Sequence, residues 1–358
     1  MNRIDWIVER CRLLQAIGAE LHETKPFAGL AIGTGIHLEP KTVALLLTLQ
    51  RGGAELVSTG NLNTTQQDAC DYLAARGVRV VGGPTSDAAV HDANLWEVVR
   101  SHPDLLLDNG GDLFARYVEE PWDGLLGGTE ETTSGRMRLE PLRDRIGLPV
   151  LVINDSPIKQ FAENEHAVGQ SVLESFLRLT NLSTNGKRVT VFGYGACGRG
   201  VAANFRNAHA IVSVVERDPV KRLQAMLDGF LVPARDEALR TADVVITVTG
   251  AEGVVTAADA PLLRAGAVLA NAGHFPREIE AERLAAAGVT VLEGGHMVNL
   301  AGPRPLGNSV ESMDLGFALQ ARCLEAVARG EVGAEACVVP VPRAIDEQVA
   351  SSFVTSAA

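Results

Sequence analysis

The sequence predicts an α/β protein built from two doubly wound parallel-sheet domains, and three observations predict it. Short apolar runs alternate with helix-compatible segments along nearly the whole chain. A length of 358 residues suits two cores rather than one. Finally, Lys187 to Pro219 reads strand, glycine turn, helix, strand, acid.

In chain order, an amphipathic helix (MNRIDWIVERCRLL) comes first, followed by a strand from Gly29 to Gly33 and a helix from about Pro40 to Gly52. Further strands are expected at Glu55 to Ser58, Val78 to Val81, Leu105 to Leu107 and Val150 to Ile153. Helices are expected between most of them, from Gln66 to Arg76 and from Ala89 to His102. Residues 1 to about 165, completed by about 320–358, form the first domain. The second spans 180–305 and adds strands at Val189 to Phe192, Ala210 to Val215, Val244 to Val248, Ala267 to Ala270 and Val289 to Leu292. Helices over about 164–182 and 309–328 have the length to act as hinges. The last residues, ASSFVTSAA, are expected to fray.

Composition narrows the function. A net charge of −12 argues against nucleic acid as a partner. Five scattered cysteines without a CxxC pair or a His cluster argue for a reducing compartment, with neither zinc nor disulfides. The N-terminus is not a targeting peptide and no stretch is apolar for long enough to span a bilayer, so a cytoplasmic protein with no membrane partner is expected.

The most specific stretch is VFGYGACGRG. Gly193 allows a sharp turn after the strand, Gly195 lets backbone N–H groups approach a pyrophosphate at the helix N-terminus, and Gly198 lets helix and strand pack closely. Glu216 closes the next strand at the spacing of a ribose contact. Its charge favours NAD over NADP, although Arg217 follows it directly. Polar clusters at the expected strand ends (Thr34 to His37, Thr59 to Gln66, Asp108 to Asp112, Gly127 to Gly135, Asn154 to Ser156, Asn271 to His274) mark a substrate cleft, because ligands of open α/β sheets bind beyond the carboxyl ends of strands.

The stretches GIHLEPKT, GNLNTTQQD, LLLDNGGDL, GGTEETTSG, VINDSPIKQFAEN, VFGYGACGRG, ITVTG, NAGHF and MVNLAGP occur in the order seen in the S-adenosylhomocysteine hydrolase family, which the chain resembles over nearly its whole length. The resemblance implies a tightly bound, recycled NAD that oxidises the 3′-hydroxyl of an adenosine-type ribose. The ketone acidifies C4′–H, loss of that proton expels the 5′ substituent, and the hydride then returns. It implies Lys159 beside the 3′-hydroxyl with Asn154 before it, and Glu163 where the family has an aspartate. Glu131 falls on the ribose hydroxyls, with His274 and His37 near C5′. Thr132, Thr133, Ser134, Asn164, Thr249 and Asn299 fall on the cofactor side, and Thr64 on the substrate side.

The departures from the family are concentrated elsewhere. Asn109 replaces the catalytic aspartate of DDGGD, and an amide cannot accept a proton as a general base, so His37 or Lys159 must take C4′–H or the water step must change. Asn308 replaces a histidine, Val168 replaces a cysteine, and Glu39 and Lys41 stand where a threonine and a glutamate meet the adenine. The chain stops soon after Pro340 to Gln348, without the family's extension towards a neighbouring protomer, so a homo-oligomer, dimer or tetramer, is expected without that contact. These departures point to an adenine-nucleoside enzyme that loses water from C5′ to give a 4′,5′-unsaturated, angustmycin-type product. The alternatives are an ordinary adenosylhomocysteinase, a conventional NAD dehydrogenase and a non-catalytic NAD- or nucleoside-binding regulator.

Overall fold

The computed structural model describes residues 2–274, 276–333 and 336–357. Twelve strands are described: β1 (Ala31–Gly35), β2 (Glu55–Thr59), β3 (Arg79–Val81), β4 (Leu105–Asp108), β5 (Gly127–Glu130), β6 (Val150–Val152), β7 (Arg188–Phe192), β8 (Ile211–Val215), β9 (Val244–Thr247), β10 (Val268–Asn271), β11 (Thr290–Val291) and β12 (Val339–Pro340). They form a seven-stranded sheet of order β12-β6-β5-β4-β1-β2-β3 and a five-stranded sheet of order β11-β10-β9-β7-β8. Every strand pairing in both is parallel. Strands β4, β6 and β9 are near-continuous Val, Leu and Ile runs buried on both faces, as sheets covered by helices on each side require.

The chain divides into two compact units, Met1–Lys159 with Val310–Ala358, and Gln160–Ser309. In the first, β1 leads to β2 and β3 on one side, and β4 then starts the other side. The order therefore reverses between β1 and β4. In the second, β7 leads to β8 and the chain crosses back to β9, so the reversal falls between β7 and β9. Such reversals leave a crevice outside the carboxyl ends of the strands.

Four expectations need correction. Gly127 to Glu130, read as a polar loop, is strand β5. Its glycines are compatible with the sheet because an added Cβ would meet Pro149 O at 2.2 Å from Gly127, or Leu106 O at 1.9 Å from Gly128, and side-chain volume is what the site forbids. The helix expected over 164–182 is a π-wound stretch, Lys159–Ala167, running into an α-helix, Val168–Thr180. There the Glu165 carbonyl lies against Gly200, 1.7 Å from where a Cβ would stand, so it leans out towards the facing helix. The first strand begins at Ala31 rather than Gly29, because Gly29 turns at φ +79°. Residues 350–357 are not frayed. Arg343–Ala357 is a helix, anchored by buried Val349 and preceded by β12, which the sequence reading missed.

No helix among the described residues is long and apolar enough to cross a membrane. None of the described residues forms a group of three or more His, Cys, Asp or Glu placed to hold a metal ion.

Candidate active site

Parallel register sets the strand ends of the first unit in one row: Pro340 beside Val152, then Glu130, Asp108, Gly35 and Thr59. The loops leaving that row therefore start level with one another. They carry Asn154 and Lys159 (after β6), Glu131 (after β5), Asn109 (after β4), His37 (after β1), and Asn61 and Thr64 (after β2).

Side chains from four of these loops join in one buried chain. Lys159 Nζ donates to Glu131 Oε1 at 2.9 Å, and Asn109 Nδ2 donates to Glu131 Oε2 at 2.8 Å. Asn61 Nδ2 in turn donates to Asn109 Oδ1 at 3.0 Å. Lys159, Glu131 and Asn109 are all at most 6% exposed. Burial pushes the Glu131 carboxyl up, but the Lys159 ammonium, the hydrogen bonds from Lys159 and Asn109, and the charge of nearby His37 outweigh it and hold Glu131 below the ordinary carboxylate range. Next to this chain, His37 Nδ1 is 2.6 Å from Thr64 Oγ1, and Thr133 Oγ1 donates to Asn154 Oδ1 at 3.1 Å.

Two more buried carboxylates lie directly beneath. Asp108 accepts the N–H groups of Leu113 and Phe114 at 2.8 and 3.0 Å. Glu130 accepts those of Gly111 at 2.9 Å and Thr132 at 2.7 Å, so one carboxylate ties the Asn109 loop to the Glu131 loop. Burial raises both acids, and their nearest carboxylate neighbours (Asp112 for Asp108, Asp108 for Glu130) add to it; backbone N–H donors offset only part. Thr132 caps the helix Thr133–Leu139 by accepting Gly135 N at 2.9 Å. Glu39 and Lys41, at the start of the helix Pro40–Arg51, form a buried ion pair at 2.9 Å.

The second unit supplies backbone instead of charge. Gly193 follows β7 at φ +103°, where a Cβ would meet Val248 O at 2.7 Å, and a Cβ on Gly198 would meet Gly193 O at 2.2 Å. Around Gly195, at the head of the helix Ala196–Asn207, a Cβ would find no atom within 4 Å. Glu216, after β8, accepts N–H bonds from Tyr194 at 2.8 Å, Arg217 at 2.6 Å and Asp218 at 3.0 Å. Thr249 donates through N and Oγ1 to Glu278 Oε2, each at 2.9 Å. Asn299 Nδ2 donates to Ser171 Oγ at 3.0 Å, and Ser171 Oγ donates to Asn308 Oδ1 at 3.2 Å.

The predicted residues thus divide between the two units. His37, Glu39, Lys41, Thr64, Asn109, Glu131 to Ser134, Asn154 and Lys159 lie in the first; Glu163, Asn164, the three glycines, Glu216, Thr249, His274, Asn299 and Asn308 lie in the second. Phe275 of NAGHF lies outside the described residues. Sequence reasoning missed Asn61 and Glu278. Asn61 stood within a quoted motif, and Glu278 carried no signal at all.

A family model described as S-adenosyl-L-homocysteine hydrolase matches residues 8–122, and one described as the NAD binding domain of the same enzyme matches 164–299. An adenosylhomocysteinase from Thermotoga maritima is 38% identical, over 97% of this chain and 92% of its own length. The chain belongs to the S-adenosyl-L-homocysteine hydrolase family. An S-inosyl-L-homocysteine hydrolase from Methanothermobacter thermautotrophicus is 37% identical, over 89% of this chain and 83% of its own. Among solved structures, a dipicolinate synthase chain from Bacillus halodurans is similar in fold alone, with a TM-score of 0.55 and 14% identity over 85% of this chain and 99% of its own.

As a member of that family the protein is an NAD-dependent enzyme, and its residues fit the cofactor. The open space at Gly195 faces a helix N-terminus, where backbone N–H groups and the helix dipole favour a pyrophosphate. Glu216 offers a carboxylate of the sign a ribose diol requires. Asn299 Oδ1 is buried without a hydrogen-bond partner among the described residues, an acceptor suited to an amide N–H of the ligand.

Proposed function

We propose that the enzyme cleaves the 5′ C–S bond of an S-purine-nucleosidyl homocysteine, the class of compound that the names of its relatives mention. The observation that carries this reading is the buried Lys159–Glu131 ion pair at the row of strand ends, linked through Asn109 to Asn61. NAD, when bound, supplies a hydride acceptor that is restored at the end of the cycle.

The chain's own residues perform the rest. Glu131 accepts from the ribose hydroxyls, and Lys159, once its ammonium has given up a proton to solvent, takes the 3′-hydroxyl proton as the neutral amine. With C3′ at the ketone level, C4′–H passes to a base and its electron pair forms the C4′–C5′ double bond, expelling homocysteine thiolate with the C5′–S pair. His37 is the titratable group on the 5′ side for that proton. Water then adds across the double bond, its oxygen to C5′ and a proton to C4′. The Glu39–Lys41 pair offers one acceptor and one donor, which suits the N1 and C6 substituents of either adenine or hypoxanthine.

A second reading is favoured by Asn109. Both ends of its amide are committed, to Glu131 and to Asn61, and an amide transfers no proton as a general base. An enzyme without that base would run elimination and stop, losing water from a 5′-hydroxyl to leave a 4′,5′-unsaturated adenine nucleoside.

One experiment separates the readings. The NAD-loaded enzyme is incubated in deuterium oxide with S-adenosylhomocysteine, S-inosylhomocysteine and an adenine nucleoside carrying a 5′-hydroxyl. Thiol release supports the first, and loss of one water without thiol release supports the second. NAD-loaded enzyme that gives neither product, and no deuterium at C4′, overturns both.

A further inference from the structure

The C-terminal helix reaches the site by a route that neither the family resemblance nor the proposed reaction uses. β12 lies parallel to β6 with Val339 beside Leu151 and Pro340 beside Val152, so the two chains leave the sheet side by side at the same end. One continues through Ile153–Asp155 to Ser156, the other into the helix Arg343–Ala357. This brings Asp346 against Ser156, 190 positions away in sequence, and the two are hydrogen-bonded side chain to side chain.

The direction of this bond follows from the inventory of protons. Asp346 Oδ1 accepts, so the single hydroxyl proton of Ser156 is spent on it. The oxygen lone pairs of Ser156 are left to accept the backbone N–H groups of Ile158 at 3.1 Å and Lys159 at 3.4 Å. Those N–H groups stand at the start of the helical run that carries Lys159. Ser156 is 1% exposed, so no water competes for its oxygen. Burial raises the Asp346 carboxyl and the Ser156 bond works against that rise, as expected for an acid whose partner prefers it ionised.

We infer that Asp346 is a positioning residue for Lys159. It fixes the rotamer of the Ser156 hydroxyl, which in turn fixes the backbone from which Lys159 reaches Glu131. Without the Asp346 acceptor the hydroxyl is free to rotate its proton towards the two N–H groups, and the first turn of the Lys159 stretch loses its anchor. A displacement of about 1 Å at a reacting group can cost on the order of a hundredfold in rate. The inference rests on the proposed role of Lys159 in the 3′ oxidation.

The test compares Asp346→Ala, Asp346→Asn and Ser156→Ala in the NAD-loaded enzyme. Single-turnover 3′ oxidation, followed by the absorbance of reduced cofactor, slows about tenfold or more in Asp346→Ala and in Ser156→Ala while KM for the nucleoside stays within about twofold. Asp346→Asn stays close to the wild-type rate, because its amide oxygen accepts the same proton. The Asp346→Ala/Ser156→Ala double variant is no slower than the slower single, since both cut one chain. The Cε resonance of Lys159 in labelled protein moves in the Ala variants and not in Asp346→Asn. This arm needs no turnover, so wild type that converts no substrate counts against the proposed function while the resonance still decides the role of Asp346. Asp346→Ala with an unmoved resonance, or Asp346→Asn shifted as far as Asp346→Ala, overturns it; if Asp346→Ala fails to fold, Ser156→Ala with the wild-type resonance does the same.

Discussion

The two units place different materials at the same topological position. At the reversal between β1 and β4 the first unit gathers buried side-chain charge: Lys159, Glu131 and, beneath them, Asp108 and Glu130. At the reversal between β7 and β9 the second unit presents glycine backbone, one half-buried acid and an unfilled amide acceptor. A site for a large anionic cofactor needs open space and N–H groups, and bulk would spoil it. A site that moves protons needs charges held in fixed geometry, and these are stable in a buried place only when each has a partner. The same kind of crevice serves both, and sequence chooses which.

That contrast can be broken experimentally. The largest effect is expected at Lys159→Ala, which leaves Glu131 a buried anion without its cation. Turnover should fall on the order of 10²–10⁴-fold, and the unit should lose about 3–5 kcal/mol in denaturant melts. Lys159→Met combined with Glu131→Gln should recover much of that stability and none of the activity. Next comes Gly198→Val, whose side chain enters the space held by Gly193 O. Co-purified NAD, measured by mass spectrometry, should drop to about a tenth or less while the Lys159–Glu131 region keeps its spectrum.

A smaller effect is expected at Glu216→Ala, which removes the acceptor shared by three backbone N–H groups and the negative charge proposed to face the cofactor ribose. NAD should bind about tenfold more weakly and NADP should lose its handicap, as titration calorimetry would show. The smallest concerns pH. Asp314 accepts the N–H groups of Leu13 and Leu14, and burial pushes its carboxyl up to about 6. The folded chain therefore keeps this proton to higher pH than the unfolded chain. Its contribution favours folding below about pH 4 and is lost as pH rises towards 6. Asp314→Asn should flatten the stability profile over that interval by up to about 2–3 kcal/mol, apart from a constant offset.

Much of this was legible in the sequence, and the reason differs by element. The glycine turn and Glu216 were readable because each residue there serves a local steric or charge demand. Strands such as β4 and β7 were readable as apolar runs. β5 was hidden because GGTE has no strand composition; its glycines answer to Leu106 and Pro149, which only the fold brings near. Glu278 and Asp346 were hidden for the same reason. Their partners, Thr249 and Ser156, are 29 and 190 positions away, and no short-range pattern encodes such a pairing. The motif stretches named the residues of the charged chain, but not that Asn109 would spend both ends of its amide inside it.

The sheet order has one more consequence, for the history of each molecule. β12 is supplied by the last fifty or so residues, yet it completes a sheet whose other strands come from the first 152. During synthesis from the N-terminus the cofactor-binding unit can close as soon as it emerges, while the older half waits, its β6 edge bare, for the tail to arrive. A ribosome that stalls late would thus release a chain able to hold dinucleotide but not to set its lysine.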